Sequence, residues 1–182
     1  MRMRIIAGEL GGRHFAGPDS STTHPMAERV RGALFNALGD VSGMSVLDAF
    51  GGSGALSFEA LSRGAARVVI VERDKRAQKI IAENIQTLGL EDRIKLIRTG
   101  ASTWSETNTD AQFDLVLCDP PYHDLQLSTV SKIFSHVKPN GLMVLSYPGR
   151  ESAPTVNVSG VVVVSKSKSY GDAALAYYRK AA

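Results

Sequence analysis

Val46-Leu47-Asp48-Ala49-Phe50-Gly51-Gly52-Ser53-Gly54 is the stretch on which the reading of the fold turns. The apolar residues around Asp48 read as the end of a buried parallel strand. The glycines read as a tight turn, and Ala55-Leu56-Ser57 as the start of an apolar helix. Strand, glycine turn and helix together receive a nucleotide-like ligand at the carboxyl edge of an open α/β sheet. Glycines there let the backbone approach a ligand closely and leave amide donors pointing at it.

Outward from this stretch, strand and helix patterns alternate. Strand Ser45–Phe50 leads to helix Ala55–Arg63, strand Arg67–Glu72 and helix Lys75–Leu88, which begins beside Asp74 and stops at Gly89. Strand Arg93–Arg98 precedes a short helix near Ala101–Ser105. Strand Phe113–Cys118, helix Leu125–Val137 and strand Leu142–Tyr147 follow. Repeated βα units predict a parallel, doubly wound sheet. Pro148–Ser159 reads as a loop. Gly160–Lys168 and Ala173–Arg179 read as a β-hairpin around Tyr170-Gly171-Asp172, which ends the sheet on an antiparallel strand. Before the main unit, Met3–Ile6 and Arg13–Phe15 read as a hairpin or arm. Gly17–Pro25 reads as a loop, and Ala27–Leu38 as a helix stopped by Gly39. Residues 1–24 are thus expected to form an arm, and 25–182 the α/β domain.

The chain has 182 residues, 43% hydrophobic and 21% charged, enough for one domain with a substantial core. No apolar run approaches the roughly 20 residues of a membrane span, and no signal-peptide pattern opens the chain. The single cysteine, Cys118, excludes an internal disulfide, and the four histidines show no metal-ligand spacing. No metal is expected, and the cysteine usage suits the cytoplasm. Net charge is +3, and its distribution is uneven. Arg2, Arg4, Arg13, Arg29 and Arg31 outnumber the acids at the start, while Lys166, Lys168, Arg179 and Lys180 outnumber Asp172 at the end. Positive charge at both ends is consistent with a polyanion partner or with a merely solvated surface.

Three constellations carry chemistry. In the first, Gly52-x-Gly54-x-x-Ser57 approaches a dinucleotide fingerprint, and Glu72 stands 18 residues after Gly54 where a carboxylate accepts from ribose hydroxyls. NAD and S-adenosylmethionine both fit this frame, and a purely structural turn is the plain alternative. Asp48, just before the turn, opposes a pyrophosphate but suits a cationic amino-acid tail, and no basic residue lies in the turn. Both details favour S-adenosylmethionine.

The second is Asp119-Pro120-Pro121-Tyr122, directly after an apolar strand. Two prolines make a rigid turn and remove two backbone donors, so what remains are acceptors: the Asp119 carboxylate and the Pro120 carbonyl. Two acceptors gripping the hydrogens of a nucleobase amine favour a pyramidal nitrogen whose lone pair can attack. Tyr122 offers a face for stacking, about 1–3 kcal/mol in comparable stacks. A plain Asp-Pro turn with a tyrosine packed on it is the alternative. The third is the arm and first helix, where Arg4, Arg13, His14, His24, Arg29 and Arg31 could contact phosphates, although Glu9, Asp19 and Glu28 offset much of that charge. Arg29 and Arg31 are two apart and cannot share a helix face.

Val46–Leu56 and Glu59–Ala65 resemble class I S-adenosylmethionine-dependent methyltransferases. More narrowly, five segments in order resemble the RsmD family, which methylates a guanine amine in bacterial 16S ribosomal RNA: Arg4–Gly8, Pro25–Asn36, the glycine turn with its helix, Asp119–Tyr122, and Tyr170–Asp172. The resemblance implies a Rossmann-like, seven-stranded, mostly parallel sheet with an antiparallel last strand. It places Asp48, Phe50, Gly51, Gly52, Ser53, Gly54, Glu72 and Arg73 on the cofactor. It assigns Asp119, Pro120, Pro121 and Tyr122 to the target guanine; with a nucleobase as target, Arg4, Arg13, His24, Arg29, Arg31, Lys168 and Tyr170 are the candidates for RNA contact. The family commonly has Arg-Pro-Thr where this chain has His24-Pro25-Met26, and an acid where it has Gly32. Related enzymes hold the adenine amine with an acid or amide after the third strand. Here that segment is Arg98–Ser102, so the contact passes to backbone groups of Gly100 and Ala101 or to nearby hydroxyls.

The expected activity is therefore methyl transfer from S-adenosylmethionine to the 2-amino group of a guanine in 16S ribosomal RNA, within an assembled or assembling small subunit. A monomer without membrane association is expected. The rivals are a methyltransferase using the same device on adenine in DNA or on a protein amide, and a non-catalytic RNA-binding assembly factor. A nicotinamide-dependent oxidoreductase ranks below both.

Overall fold

The computed structural model describes residues 1–19, 25–156 and 160–182, with only the backbone of 162–168. Seven strands form one sheet in the order β5-β4-β3-β6-β7-β9-β8. They are β3 (Ser45–Asp48), β4 (Arg67–Val71), β5 (Ile94–Ile97), β6 (Phe113–Cys118), β7 (Val137–Pro148), β8 (Val161–Tyr170) and β9 (Ala173–Lys180). Strands β3 to β7 pair in parallel, and β9 inserts antiparallel between β7 and β8. The expected sheet is present, with its order reversing beside β3. That reversal opens a crevice at the carboxyl edge, between the ends of β3 and β6.

The strands are buried on both faces, so their side chains feed two cores. Val46, Leu115, Leu117, Val144, Leu175 and Tyr177 face one side, with helices α1 (Glu28–Leu38), α2 (Ala55–Ser62) and α3 (Lys75–Leu88). Leu47, Val116, Cys118, Met143, Leu145 and Tyr147 face the other, with α4 (Ala101–Thr107) and α5 (Leu127–Phe134). Helix α3 reads from its sequence: Asp74 caps it by accepting from Ala77 N–H at 2.9 Å, Ile81, Ile85 and Leu88 line its inner face, and Gly89 turns left-handed at its end. Near α4 and α5, His136 is buried, with Nδ1 2.7 Å from the Ala111 carbonyl and Nε2 2.8 Å from Ser105 Oγ. Burial holds that imidazole below its usual value, so it is neutral.

Two boundaries differ from expectation. Helix α5 ends at Phe134 and β7 begins at Val137, five residues early. Val137 already pairs with Phe113; the chain then bulges through Lys138–Gly141, Asn140 taking φ 65°, before Leu142 pairs with Leu115. The N-terminal strands are β1 (Arg2–Arg4) and β2 (His14–Ala16), paired antiparallel but separated by a long compact loop.

That segment folds onto α2. Helix α2 is buried on every side, and each buried polar residue it carries has an outside partner. Glu59, 0% exposed, accepts from Ile6 N–H at 2.9 Å and Ala7 N–H at 3.1 Å. Ser62 Oγ accepts from Leu10 N–H at 2.8 Å and donates to the Ala7 carbonyl at 2.6 Å. Phe15 meets Phe58 edge to face at 5.1 Å, and Asn84 of α3 exchanges hydrogen bonds with the backbone of Ala16.

Candidate active site

The glycine turn leaves β3 and enters α2 with backbone that only glycine tolerates well. A Cβ on Gly51 would lie 2.5 Å from Ile70 Cγ2. Gly54 has φ +83°, and a Cβ there would meet the Phe58 ring at 2.8 Å. Asp48 stands under the turn, 0% exposed. Ser57, one turn into α2, donates to its Oδ2 at 2.6 Å, whereas Oδ1 is buried without a partner. Burial pushes the Asp48 carboxyl well above the usual range. The Ser57 hydrogen bond opposes this, and the charges of Asp119 and Glu72 add to it.

Glu72, just past β4, is half-buried. Its Oε1 accepts from Gly52 N–H at 2.8 Å and its Oε2 from Asp74 N–H at 2.7 Å. A carboxylate has about four lone-pair positions, so these bonds orient Glu72 and leave acceptor capacity on both oxygens. Gln78 fixes the backbone beneath it by donating to the Glu72 carbonyl at 2.8 Å. Arg73 is exposed beside it. Gly100 precedes α4 and is half-buried, while Ala101 is buried.

Asp119 follows β6 at the same sheet edge and is half-buried, Pro120 is buried and Pro121 exposed. Burial pushes the Asp119 carboxyl up to about 6, against the pull of the Ser146 hydroxyl. Tyr122 is 37% exposed and its hydroxyl lies 2.5 Å from Ser146 Oγ. Cys118 is buried, and burial raises its thiol beside Asp48 and Asp119, so it is an inert neutral group. The glycine turn and the proline turn therefore converge.

Three carboxyl groups, Asp48, Glu72 and Asp119, meet here in a chain whose net charge is +3. An orphaned buried carboxylate oxygen and a glycine cradle suit a ligand with a cationic end and a nucleoside body. S-adenosylmethionine has both. Among the described residues, no group of three or more His, Cys, Asp or Glu is placed to hold a metal ion.

The residues expected to touch RNA divide. Arg29 is exposed on α1. Arg4 is half-exposed and bound to Glu28 through two hydrogen bonds of 3.1 and 2.9 Å, and Arg13 donates to the Thr87 carbonyl at 3.0 Å. Tyr170 is partly buried against the core. Arg31 corrects the expectation: it is 1% exposed, its Nε lies 3.4 Å from Glu59 Oε1, and it donates to the Arg4 carbonyl, so no phosphate can reach it. Helical spacing turns Arg31 inward where it turns Arg29 outward. His24 and the side chain of Lys168 lie outside the described residues.

Three contacts escaped the sequence reading: Ser57, placed there only as the last fingerprint position, donates to Asp48, Ser146 meets Tyr122, and Glu59 holds the arm. Ser57 was recognisable as the residue one helical turn past the glycines. The other two depend on contacts far apart in sequence.

A Rossmann-like sheet with an antiparallel β9, a glycine cradle over a buried acid, and an Asp-Pro-Pro-Tyr turn at the neighbouring strand define a class I methyltransferase. A profile of the family described as Conserved hypothetical protein 95 matches residues 3–179. Ribosomal RNA small subunit methyltransferase D of Haemophilus influenzae is 35% identical over 147 residues, covering 78% of this chain and 76% of that one. Its Escherichia coli namesake is 36% identical over 122 residues, covering 66% and 61%. The solved structure of the Escherichia coli protein yhhF superposes with a TM-score of 0.87 at 28% identity, covering 100% of this chain and 99% of the other. The chain belongs to the RsmD family of S-adenosylmethionine-dependent ribosomal RNA methyltransferases.

Proposed function

We propose that this protein methylates the exocyclic 2-amino group of a guanine in 16S ribosomal RNA, presented by an assembled or assembling small subunit. The observation that carries the reading is the pairing of an acceptor-only turn, Asp119-Pro120, with the acidic glycine cradle at the ends of neighbouring strands. A flat base that donates two amine hydrogens and bears no negative charge fits that edge. A substrate of this kind also places the protein in the cytoplasm, and a monomer suffices for the site.

Bound in the cradle, S-adenosylmethionine supplies an electrophilic methyl group and leaves as S-adenosylhomocysteine. Asp48 would face its cationic amino end, Glu72 would accept from its ribose, and Gly100 and Ala101 would flank its base. The Asp119 carboxylate and the Pro120 carbonyl hold the two amine hydrogens, aiming the nitrogen lone pair at the methyl carbon. Tyr122 stacks on the flipped base and limits its tilt. The nitrogen becomes strongly acidic as its new bond forms, and its proton passes to the Asp119 carboxylate. Positioning therefore supplies much of the rate. Arg4, Arg13 and Arg29, with His24, Lys168 and Tyr170, form the RNA-contacting rim; Arg31 does not belong to it.

The test is Asp119→Ala assayed with methyl-labelled cofactor on small subunits, free ribosomal RNA, DNA and protein. Methyl transfer to RNA is expected to vanish while cofactor affinity stays within a few-fold. In the parent protein the rate should fall as pH drops through about 6, where Asp119 takes up a proton. Label appearing in DNA or protein instead would identify one of the other acceptors. Near-normal turnover of Asp119→Ala would remove Asp119 from the mechanism.

A further inference from the structure

Ser146 lies on β7 beside the end of β6. Leu117 pairs with Val144 and Cys118 with Leu145, so the next rung sets Ser146 against Asp119. The side chain is 1% exposed, and a hydroxyl so deeply buried requires hydrogen-bond partners. Tyr122 Oη is one, at 2.5 Å; across the rung stands the Asp119 carboxylate, whose ionised form the nearby hydroxyl favours.

A serine hydroxyl has one proton to donate. Ionised Asp119 can only accept, so the Ser146 proton goes to it. The contact with Tyr122 must then run from the phenol to Ser146 Oγ. The geometry points to Ser146 as a positioning residue, the middle of a directed chain from Tyr122 O–H to Ser146 Oγ and from Ser146 O–H to Asp119. Through it the stacking face and the acceptor edge of the substrate site are set by one buried atom of the rigid sheet. Residues 121–124 are exposed, so this tether to β7 removes rotamer freedom from a ring at the surface. The inference rests on the proposed roles of Asp119 and Tyr122 in holding the base.

Ser146→Ala, Ser146→Thr and Tyr122→Phe test it, each checked for folding by thermal melting. The Asp119 carboxyl is titrated by carbon NMR, its signal assigned by loss in Asp119→Asn, and subunit methylation is followed against pH. In Ser146→Ala the Asp119 midpoint should move upward from about 6, with the acid limb of kcat moving alongside. The rate near that midpoint should fall roughly tenfold or more, as for a lost hydrogen bond to a charged group. Cofactor affinity should stay unchanged, and Ser146→Thr should restore the midpoint. Tyr122→Phe keeps the Ser146–Asp119 bond, so KM for subunits should rise while the midpoint stays.

An unmoved midpoint and acid limb in Ser146→Ala overturn the proposal whatever happens to the rate. A midpoint that moves in Tyr122→Phe overturns the direction of the chain. If the parent protein methylates no RNA while the NMR titration behaves as described, the functional reading fails and the hydrogen-bond chain stands.

Discussion

Asp48 is costly to the fold, and the proposed cofactor site gives that cost a use. It is fully buried, with a single donor, Ser57, and an unsatisfied Oδ1. Its folded-state pKa lies above the unfolded value, so the folded protein holds this proton more tightly than the unfolded chain. Stability is then greatest below the unfolded value and is lost as pH rises toward the folded one. Asp48→Asn removes that penalty and keeps an acceptor for Ser57. It should melt at a higher temperature than the parent at pH 8 and bind S-adenosylmethionine roughly ten- to a hundredfold more weakly, since one hydrogen bond to a charged group is lost. Thermal melts and calorimetric titration of the same preparation check both halves.

Helix α2 shows what an element needs when it has no solvent face. Glu59 lies at its centre, joined to the N-terminal backbone, to Arg31 at 3.4 Å and to Arg63 at 2.9 Å. Removing the carboxylate leaves a buried guanidinium uncompensated, which costs about 3–5 kcal/mol. Glu59→Ala should therefore lower Tm by about 6–20 °C in a domain of this size, and amides 5–8 should lose hydrogen-exchange protection. Strand β3, the glycine turn and helix α3 were legible because each carries a local signal: an apolar run, a glycine cluster, a cap at both ends. The docking of residues 5–10 on α2 was not, because a buried glutamate looks like a surface one until its partners 50 residues away are known. The same limit hid Ser146, which only strand register brings beside Asp119. It also made Arg31 resemble Arg29, although helical spacing already separated their faces. The early start of β7 escaped because Lys138-Pro139-Asn140-Gly141 reads as a turn between elements, whereas here it is a bulge within a strand.

At the scale of the molecule, the acidic cradle sits at the carboxyl edge of the sheet, and on α1 Arg29 is exposed while the half-exposed Arg4 is paired with Glu28. Of these two arginines, Arg29 is the one with no acidic partner among the described residues to displace before it meets a phosphate of the proposed RNA substrate. Arg29→Ala should weaken small-subunit binding and reduce the dependence of log K on log salt by about 1, with cofactor affinity unchanged. Salt-dependent binding measurements on the two proteins check this. The central claim concerns what receives the methyl group, and the most direct measurement is mass-spectrometric mapping of 16S ribosomal RNA from cells with and without the gene. The account predicts that one guanine carries a methyl on its 2-amino nitrogen when the gene is present and is unmodified when it is absent, with Asp119→Ala failing to restore it. Identical guanine modification in both RNAs, or a lost methyl on a different base, would contradict it.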